Sequence, residues 1–316
     1  MVGGRGPGLV WGDCGGLGLR RLCLRLRLMF NRITILGFAF LGVATVSCGG
    51  GKRPPEVKEK SKPVAVVTVP SPHGYDLGSP KKTVLPEALH EISGICFLHK
   101  EQDTLYAIED ETGRLFHFHP GDTRYPSWKF GKRGDYEDVA VLNQNEFVVL
   151  RSDGSLFVFP AAMVGSAENM GVKVYEHILP KGEYEGLYGN EGRVVALCKN
   201  CAVDDKRNEV SGYVLQYDEK KELRVAGHFV VGTAKKKFHP SCLARHPVTR
   251  EWYLISSVNK ELLVLDEQWK VKASYDLNPG LFKQPEGLAF DAKGNMYISN
   301  EGVQGNANVL FFAYRP

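Results

Sequence analysis

The chain of 316 residues is 43% hydrophobic and 24% charged, a balance that suits a folded globular protein and excludes a disordered chain or a multispan membrane protein. Its formal charge of +4 raises the question of nucleic acid. Residues 1–48 carry six arginines and one acid, however, so residues 49–316 keep 34 of the 40 bases and 35 of the 36 acids. The body of the protein is nearly neutral, and no nucleic-acid groove is expected.

Residues 1–47 read as a leader. Ile33–Ser47 is uncharged and mostly apolar, follows Asn31-Arg32, and is short for a membrane span. Small or β-branched residues at 45–47 before Cys48 resemble the lipobox of bacterial lipoproteins. That resemblance implies lipid modification of Cys48, and Gly49 after it resembles the outer-membrane sorting default of Gram-negative lipoproteins. The expected location is therefore the bacterial cell envelope, on an outer-membrane anchor facing the periplasm or the cell surface. Met29 offers a second start of normal signal-peptide form, which would leave Cys14 and Cys23 outside the protein.

Residues 48–80 are assigned to a tether, since Gly49–Pro63 holds Gly, Pro, Lys and Glu with almost nothing to bury. From residue 81 a short pattern recurs five times: HEISGI at 90–95, YEDVA at 136–140, YEGLY at 184–188, PSCLA at 240–244 and PEGLA at 285–289. Anchored on Glu91, Glu137, Glu185, Ser241 and Glu286, the intervals are 46, 48, 56 and 45 residues. A period in the forties means propeller blades or a helical array.

The segments between decide for strands. Thr104–Ile108, Arg114–His119 and Ser127–Phe130 follow the first anchor, and Phe147–Leu150, Leu156–Phe159 and Val172–Ile178 the second. Val194–Leu197, Tyr213–Tyr217 and Leu223–Val231 follow the third, and Trp252–Ile255, Leu262–Leu265 and Val271–Leu277 the fourth. All are alternating or β-branched runs parted by glycine and Asx turns such as Asp153-Gly154. The fifth unit has only Gly287–Phe290, Met296–Ser299 and Val309–Tyr314, so its fourth strand must come from Val64–Val69 or Lys82–Leu85. The expected fold is all-β: a five-bladed β-propeller over 81–316, its last blade closed by an N-terminal strand, which hides the edges. A monomer is expected.

The words EISGI, LYAIEDETG, GDYEDVA, VLRSDG, EYEGL, QPEGLAFD and YISNEG, in this order, resemble the SdiA-regulated family of bacterial β-propeller lipoproteins, itself distantly similar to NHL-repeat propellers. The resemblance spans roughly residues 85–315. It implies a five-bladed propeller, often on an exported lipoprotein, with a calcium site in part of the family and no established activity.

In a blade, the chain enters the innermost strand at one face and returns to that face along the second. The entries Glu91, Glu137-Asp138, Glu185, Ser241 and Glu286 should therefore meet the returns Glu109-Asp110-Glu111, Arg151-Ser152-Asp153, Lys199-Asn200, Ser256-Ser257 and Asn300-Glu301. Glutamates gathered round one axis raise each other's pKa. Arg151 and Lys199, a hard divalent cation, or both together compensate them, and oxygen donors favour calcium over zinc. The expected calcium ligands are Glu91, Glu137, Glu185, Glu286 and Asn300, then Glu109 and Glu301. Arg151, Asp153, Lys199 and Ser241 complete the polar mouth.

Two functions fit: a non-enzymatic calcium-binding module for a protein or glycan ligand, or a calcium-dependent hydrolase of lactones or phosphoesters with His90 or His239 as base. Cys198-Lys-Asn-Cys201 reads as a local disulfide or two thiols rather than a metal site. No GxSxG, Walker or HExxH pattern occurs.

Overall fold

The computed structural model describes residues 69–98, 101–201, 208–234, 237–303 and 305–316. The leader, Cys48 and most of the tether lie outside the described residues. Five sheets of four strands each make up the fold. Blade one holds β2 (Ile92–Leu98), β3 (Glu101–Glu109), β4 (Arg114–Phe118) and β5 (Ser127–Lys129), and blade two β6 (Tyr136–Asn143), β7 (Glu146–Arg151), β8 (Leu156–Pro160) and β9 (Lys173–Tyr175). Blade three holds β10 (Gly182–Asn190), β11 (Arg193–Cys201), β12 (Glu209–Tyr217) and β13 (Leu223–Gly232), and blade four β14 (Cys242–Arg245), β15 (Trp252–Ser256), β16 (Glu261–Leu265) and β17 (Val271–Asp276).

Blade five is β18 (Pro285–Phe290), β19 (Met296–Asn300) and β20 (Asn308–Phe312), completed by β1 (Lys81–Val84) from the other end of the propeller sequence. Lys81 pairs with Phe311 and Val84 with Asn308, antiparallel. This is the Lys82–Leu85 alternative, shifted by one residue. The inner strands β2, β6, β10, β14 and β18 contact one another in a closed cycle, the five-bladed β-propeller expected from the repeats.

The core is divided among the blade junctions, because each sheet buries both faces against its neighbours. Trp128, Phe147 and Phe159 pack between blades one and two, Leu150, Tyr184 and Leu215 between two and three, and Leu197, Leu254 and Trp252 between three and four. Ile255, Leu288 and Phe312 fill the next junction, and Ile92, Phe116 and Val309 the last. Residues 69–80, assigned to the tether on composition, pack onto this body: Leu77 is buried, and the Tyr75 ring meets His246, Tyr253, Phe290 and Tyr314. Among the described residues no helix is long and apolar enough to cross a membrane.

Candidate functional site

The acidic anchors lie where the inner strands begin, and the strand register breaks there. Tyr136 pairs with Arg151 and Asp138 with Leu150, which leaves Glu137 as an extra residue in a β-bulge. Glu286 is likewise extra between Pro285 and Gly287. Blade three breaks beside Glu185, where Gly186 adopts φ 63°, and blade one breaks between Ile92 and Ile95. Only the serine entry, Ser241 in blade four, precedes an inner strand without a break. Bulges bend a strand and re-aim its side chains, here at Glu137 and Glu286 themselves and within three residues of Glu185 and Glu91.

Glu137, Glu185 and Glu286 act on one another from blades two, three and five. Burial, then the charges of Glu185, Asp135 and Glu286, push Glu137 up to about 9, with Lys199 opposing. Glu286 rises to about 7 through burial and the nearby Glu185 and Glu301, against hydrogen bonds from Ser257 and Gln284. Glu185 is buried, and that burial raises its pKa despite an ion pair with Lys199 Nζ. The Lys199 ammonium is held above its usual pKa by Glu185, Glu137 and Glu286, against its own desolvation. One lysine thus answers three carboxylates.

A second group adjoins the first through Glu301. Asp110 is pushed up to about 7 by burial and by Glu91, Glu109, Glu301 and Glu111. Glu301 is raised by burial and Glu91, with His90 opposing. These positions come from blades one and five, so the mouth gathers carboxylates from four blades.

Other predicted members stand apart. Glu109 spends its oxygens on its own turn, accepting the amides of Glu111 at 3.0 Å and Thr112 at 2.7 Å. Arg151 grips Asp153 with two hydrogen bonds, 3.0 and 2.7 Å, and Ser155 with a third. It does not face the glutamates: Arg and Asp two residues apart in a tight turn satisfy each other locally. Ser241 Oγ accepts the Ser257 amide at 2.9 Å. Asn300 is fully buried, its Nδ2 donating to Leu281 and Asn308, while its Oδ1 has no partner among the described residues.

Sequence reasoning missed two residues. Lys260 brings a second cation near Glu286; burial depresses its pKa against that carboxylate, and its Nζ donates to the Ser257 and Lys283 carbonyls at 2.7 Å. Extending the blade-four return three residues beyond Ser257 would have found it. Asp138, read only as the neighbour of Glu137, is buried and lies under the mouth, where its carboxylate accepts the amides of Val139 at 2.8 Å and Leu187 at 2.6 Å. Nearby, Ser299 Oγ donates to the Ser93 carbonyl at 2.9 Å, tying blade five to blade one.

Cys198 and Cys201 form a disulfide that brackets Lys199, and Cys96 and Cys242 are buried free thiols. His239 Nδ1 lies 3.2 Å from the Lys199 carbonyl. A carbonyl only accepts, so Nδ1 is the donor in this contact. Among the described residues no three His, Cys, Asp or Glu side chains form a ready-made metal site.

No curated protein matches this chain. Among solved structures, a luciferin-regenerating enzyme is 12% identical, with 74% of this chain and 95% of that one covered at a TM-score of 0.47. A streptogramin B lyase is 6% identical, covering 75% and 98% at 0.46. A virginiamycin B lyase from Staphylococcus aureus is 10% identical, covering 71% and 67% at 0.40. With TM-scores under 0.5 and identities of 6–12%, these likenesses carry no argument about this chain. Residues 237–307, which hold blade four and the strands β18 and β19 of blade five, match the SdiA-regulated family, and the five-bladed propeller built by the whole repeat is consistent with that match.

Proposed function

We propose that this chain is an exported, lipid-anchored propeller whose acidic mouth binds calcium and serves as a binding module for a protein or glycan ligand. The observation that carries the reading is the mutual electrostatic strain of Glu137, Glu185 and Glu286 against the single ion-paired Lys199. Glu137 and Glu286 at strand bulges and Glu185 beside one would have to draw together to form an oxygen-rich donor set, since calcium takes six to eight such oxygens. Glu137, Glu185 and Glu286 would hold the cation, with Glu91 and Glu301 beside them. Calcium supplies fixed positive charge that lets the glutamates ionise and crosslinks three blades. Binding would release protons from Glu137 and Glu286 and free Lys199 from Glu185. The membrane contact rests on Cys48 and its lipobox resemblance.

The test is metal analysis of the full chain, with thermal unfolding in calcium and in EDTA. Calcium at a hundred times its dissociation constant stabilises the native state by about 2.7 kcal/mol, a melting shift of about 5–10 °C for a domain of this size. No bound metal and no shift would refute the reading.

The placement of His239, whose Nδ1 is turned to the Lys199 carbonyl so that Nε2 points away from it, favours a second reading, calcium-dependent hydrolysis of lactones or phosphoesters. Its Nε2 lone pair could take a proton from water while the cation polarises the substrate oxygen. Turnover of a lactone panel that needs calcium and is lost in His239→Gln would establish it. Turnover that persists in that variant would reject it.

A further inference from the structure

The face opposite the acidic mouth, where the inner strands end, carries a second concavity. A cavity of about 320 Å³ reaches back between the strands, with Phe97, Val141, Leu187, Leu243 and Leu288 contributed one from each blade. A cleft of about 440 Å³ opens between blades three and four. Tyr188, Asn190, Glu191, Arg245 and Arg250 line both spaces.

The polar groups at this junction divide into those the protein satisfies and those that face solvent. Arg245 is held: its Nε donates to the Arg250 carbonyl at 3.0 Å, its Nη2 to Glu267 at 2.5 Å, and its guanidinium lies 5.2 Å from the Trp252 ring centre. Asp291 is held by the amides of Lys293 and Asn295, both at 2.9 Å, and by Asn295 Nδ2 at 2.7 Å. The half-buried Tyr188 hydroxyl and the exposed guanidiniums of Arg250 and Arg193 have no hydrogen-bond partner among the described residues, and so stay open to a ligand from solvent. Tyr188 is fixed edge-to-face on Trp252 at 4.9 Å. Tyr188 and Arg250 line both spaces together, and burial raises the tyrosine's pKa while the charges of Arg245 and Arg250 act against the rise. Of the lining groups without a partner, two guanidiniums stand against the Glu191 carboxylate, leaving one positive charge for a ligand to meet.

The backbone here is also costly. Glu191, Arg250 and Trp269 line the cleft with φ of 51°, 65° and 64°, a region that costs a side chain about 1–2 kcal/mol. All three lie in the tight turns that join consecutive strands of blades three and four. Arg250 is pinned by its N–H on the His246 carbonyl at 3.0 Å and by Arg245 on its own carbonyl, so its side chain leaves a fixed point between the two spaces.

We infer that this face binds a small monocarboxylate with an apolar body. The carboxylate takes the Arg250 guanidinium and the Tyr188 hydroxyl, a charge-assisted pair of donors, and the apolar body enters the central cavity among the leucines. A cavity of this size is at the lower end of those that hold small organic ligands.

The experiment is calorimetric titration of the full chain with 2-naphthoate and with 2-naphthylmethanol, which keeps the body and removes the charge. Naphthoate is expected to saturate one site at least about tenfold more tightly than the alcohol, the worth of one charged hydrogen-bond set. EDTA leaves that affinity unchanged. Arg250→Asn, whose residue tolerates the left-handed backbone, weakens it about tenfold, Arg250→Lys recovers part of the loss, and Tyr188→Phe weakens it severalfold. Equal affinity for the two compounds, no saturable heat with either, or unaltered naphthoate binding in a normally melting Arg250→Asn would overturn the inference.

Discussion

The carboxylate of Asp138 in blade two accepts the backbone amide of Leu187 in blade three at 2.6 Å, from a side chain only 3% exposed. With its second oxygen on the Val139 amide, the carboxylate replaces the solvent that those two amides would otherwise lose at the ring axis. Burial pulls its pKa upward while both amides pull it down. An asparagine keeps one acceptor and turns an NH₂ toward the other amide. Asp138→Asn should therefore destabilise the chain by about 1–3 kcal/mol, read as a lower urea midpoint with unchanged slope. A midpoint equal to that of the parent chain would show that this crosslink contributes nothing.

Gly94 sits against the same residue. A Cβ added there would lie 2.5 Å from Asp138 Cα and 2.6 Å from the Val139 nitrogen. Both are backbone atoms of the next blade, so no rotamer change relieves the clash. Gly94→Ala should cost about 3 kcal/mol or more through overpacking, and Gly287→Ala, which meets Ser93 O at 2.6 Å, should behave alike. By contrast Gly121→Ala meets nothing within 4 Å; its cost comes only from φ 106°, and it should melt far closer to the parent.

The acidic mouth makes metal-free stability fall as pH rises. Folded Glu137 titrates near 9 and folded Glu286 near 7, against 4.5 for each as the reference value. Between these limits the folded chain holds protons that the unfolded chain has lost, so the slope of stability with pH is negative. The stabilisation is complete below about pH 4.5 and lost through pH 7 to 9. Melting temperatures in EDTA should decline over pH 5–9, more gently in Glu137→Gln; a rise over that interval would contradict the assigned coupling.

Glu286→Gln separates repulsion from ligation. Removing that charge relieves Glu137 and Glu185, so at pH 8 the metal-free variant should melt above the parent by a few degrees. The calcium-induced shift should vanish. Differential scanning fluorimetry of both proteins with calcium or EDTA gives four melting temperatures, and a variant that retained the full calcium shift would remove Glu286 from the site.

Lys199→Met tests the compensation from the other side. Glu185 is buried and loses its ion pair, and the side chain of Lys199 is partly exposed, so a loss of about 1–2 kcal/mol is expected. The loss should be larger at pH 8 than at pH 5, where protonation of the glutamates substitutes for the lysine. Equal losses at the two pH values would mean that Lys199 acts by packing alone.

The blade count and closing strand were legible because each inner strand starts with the same word, and the fifth repeat visibly lacks its fourth strand. The acidic entries were legible for the same reason. The bulges that aim Glu137 and Glu286 were not, since a register break depends on how two strands pair rather than on either one. Arg151 was misplaced as a counter-charge because its nearest carboxylate, Asp153, lies two residues away in the same turn. The Tyr75 and Leu77 anchors escaped notice among Pro70, Pro72, Gly74 and Gly78, which read as linker. Contacts such as Tyr75 with His246 join residues 171 apart, a separation no local pattern reports. Tyr188 and Arg250 likewise converge only once blades three and four are side by side.

The closure of blade five gives the molecule a mechanical seam. β1 is only four residues long and, among the described residues, is paired on one side alone, to β20. Tension applied through the residues before it would not reach that short zipper first. It would load Tyr75, whose hydroxyl bonds the Gly294 carbonyl at 2.5 Å and His246 Nε2 at 2.8 Å, and whose ring is wedged among four others. The knot of aromatic rings thus works as a strain relief, like the clamp on a cable entering a plug. Pulling from the N-terminal side would have to draw out a tyrosine before it could peel β1 and open the ring.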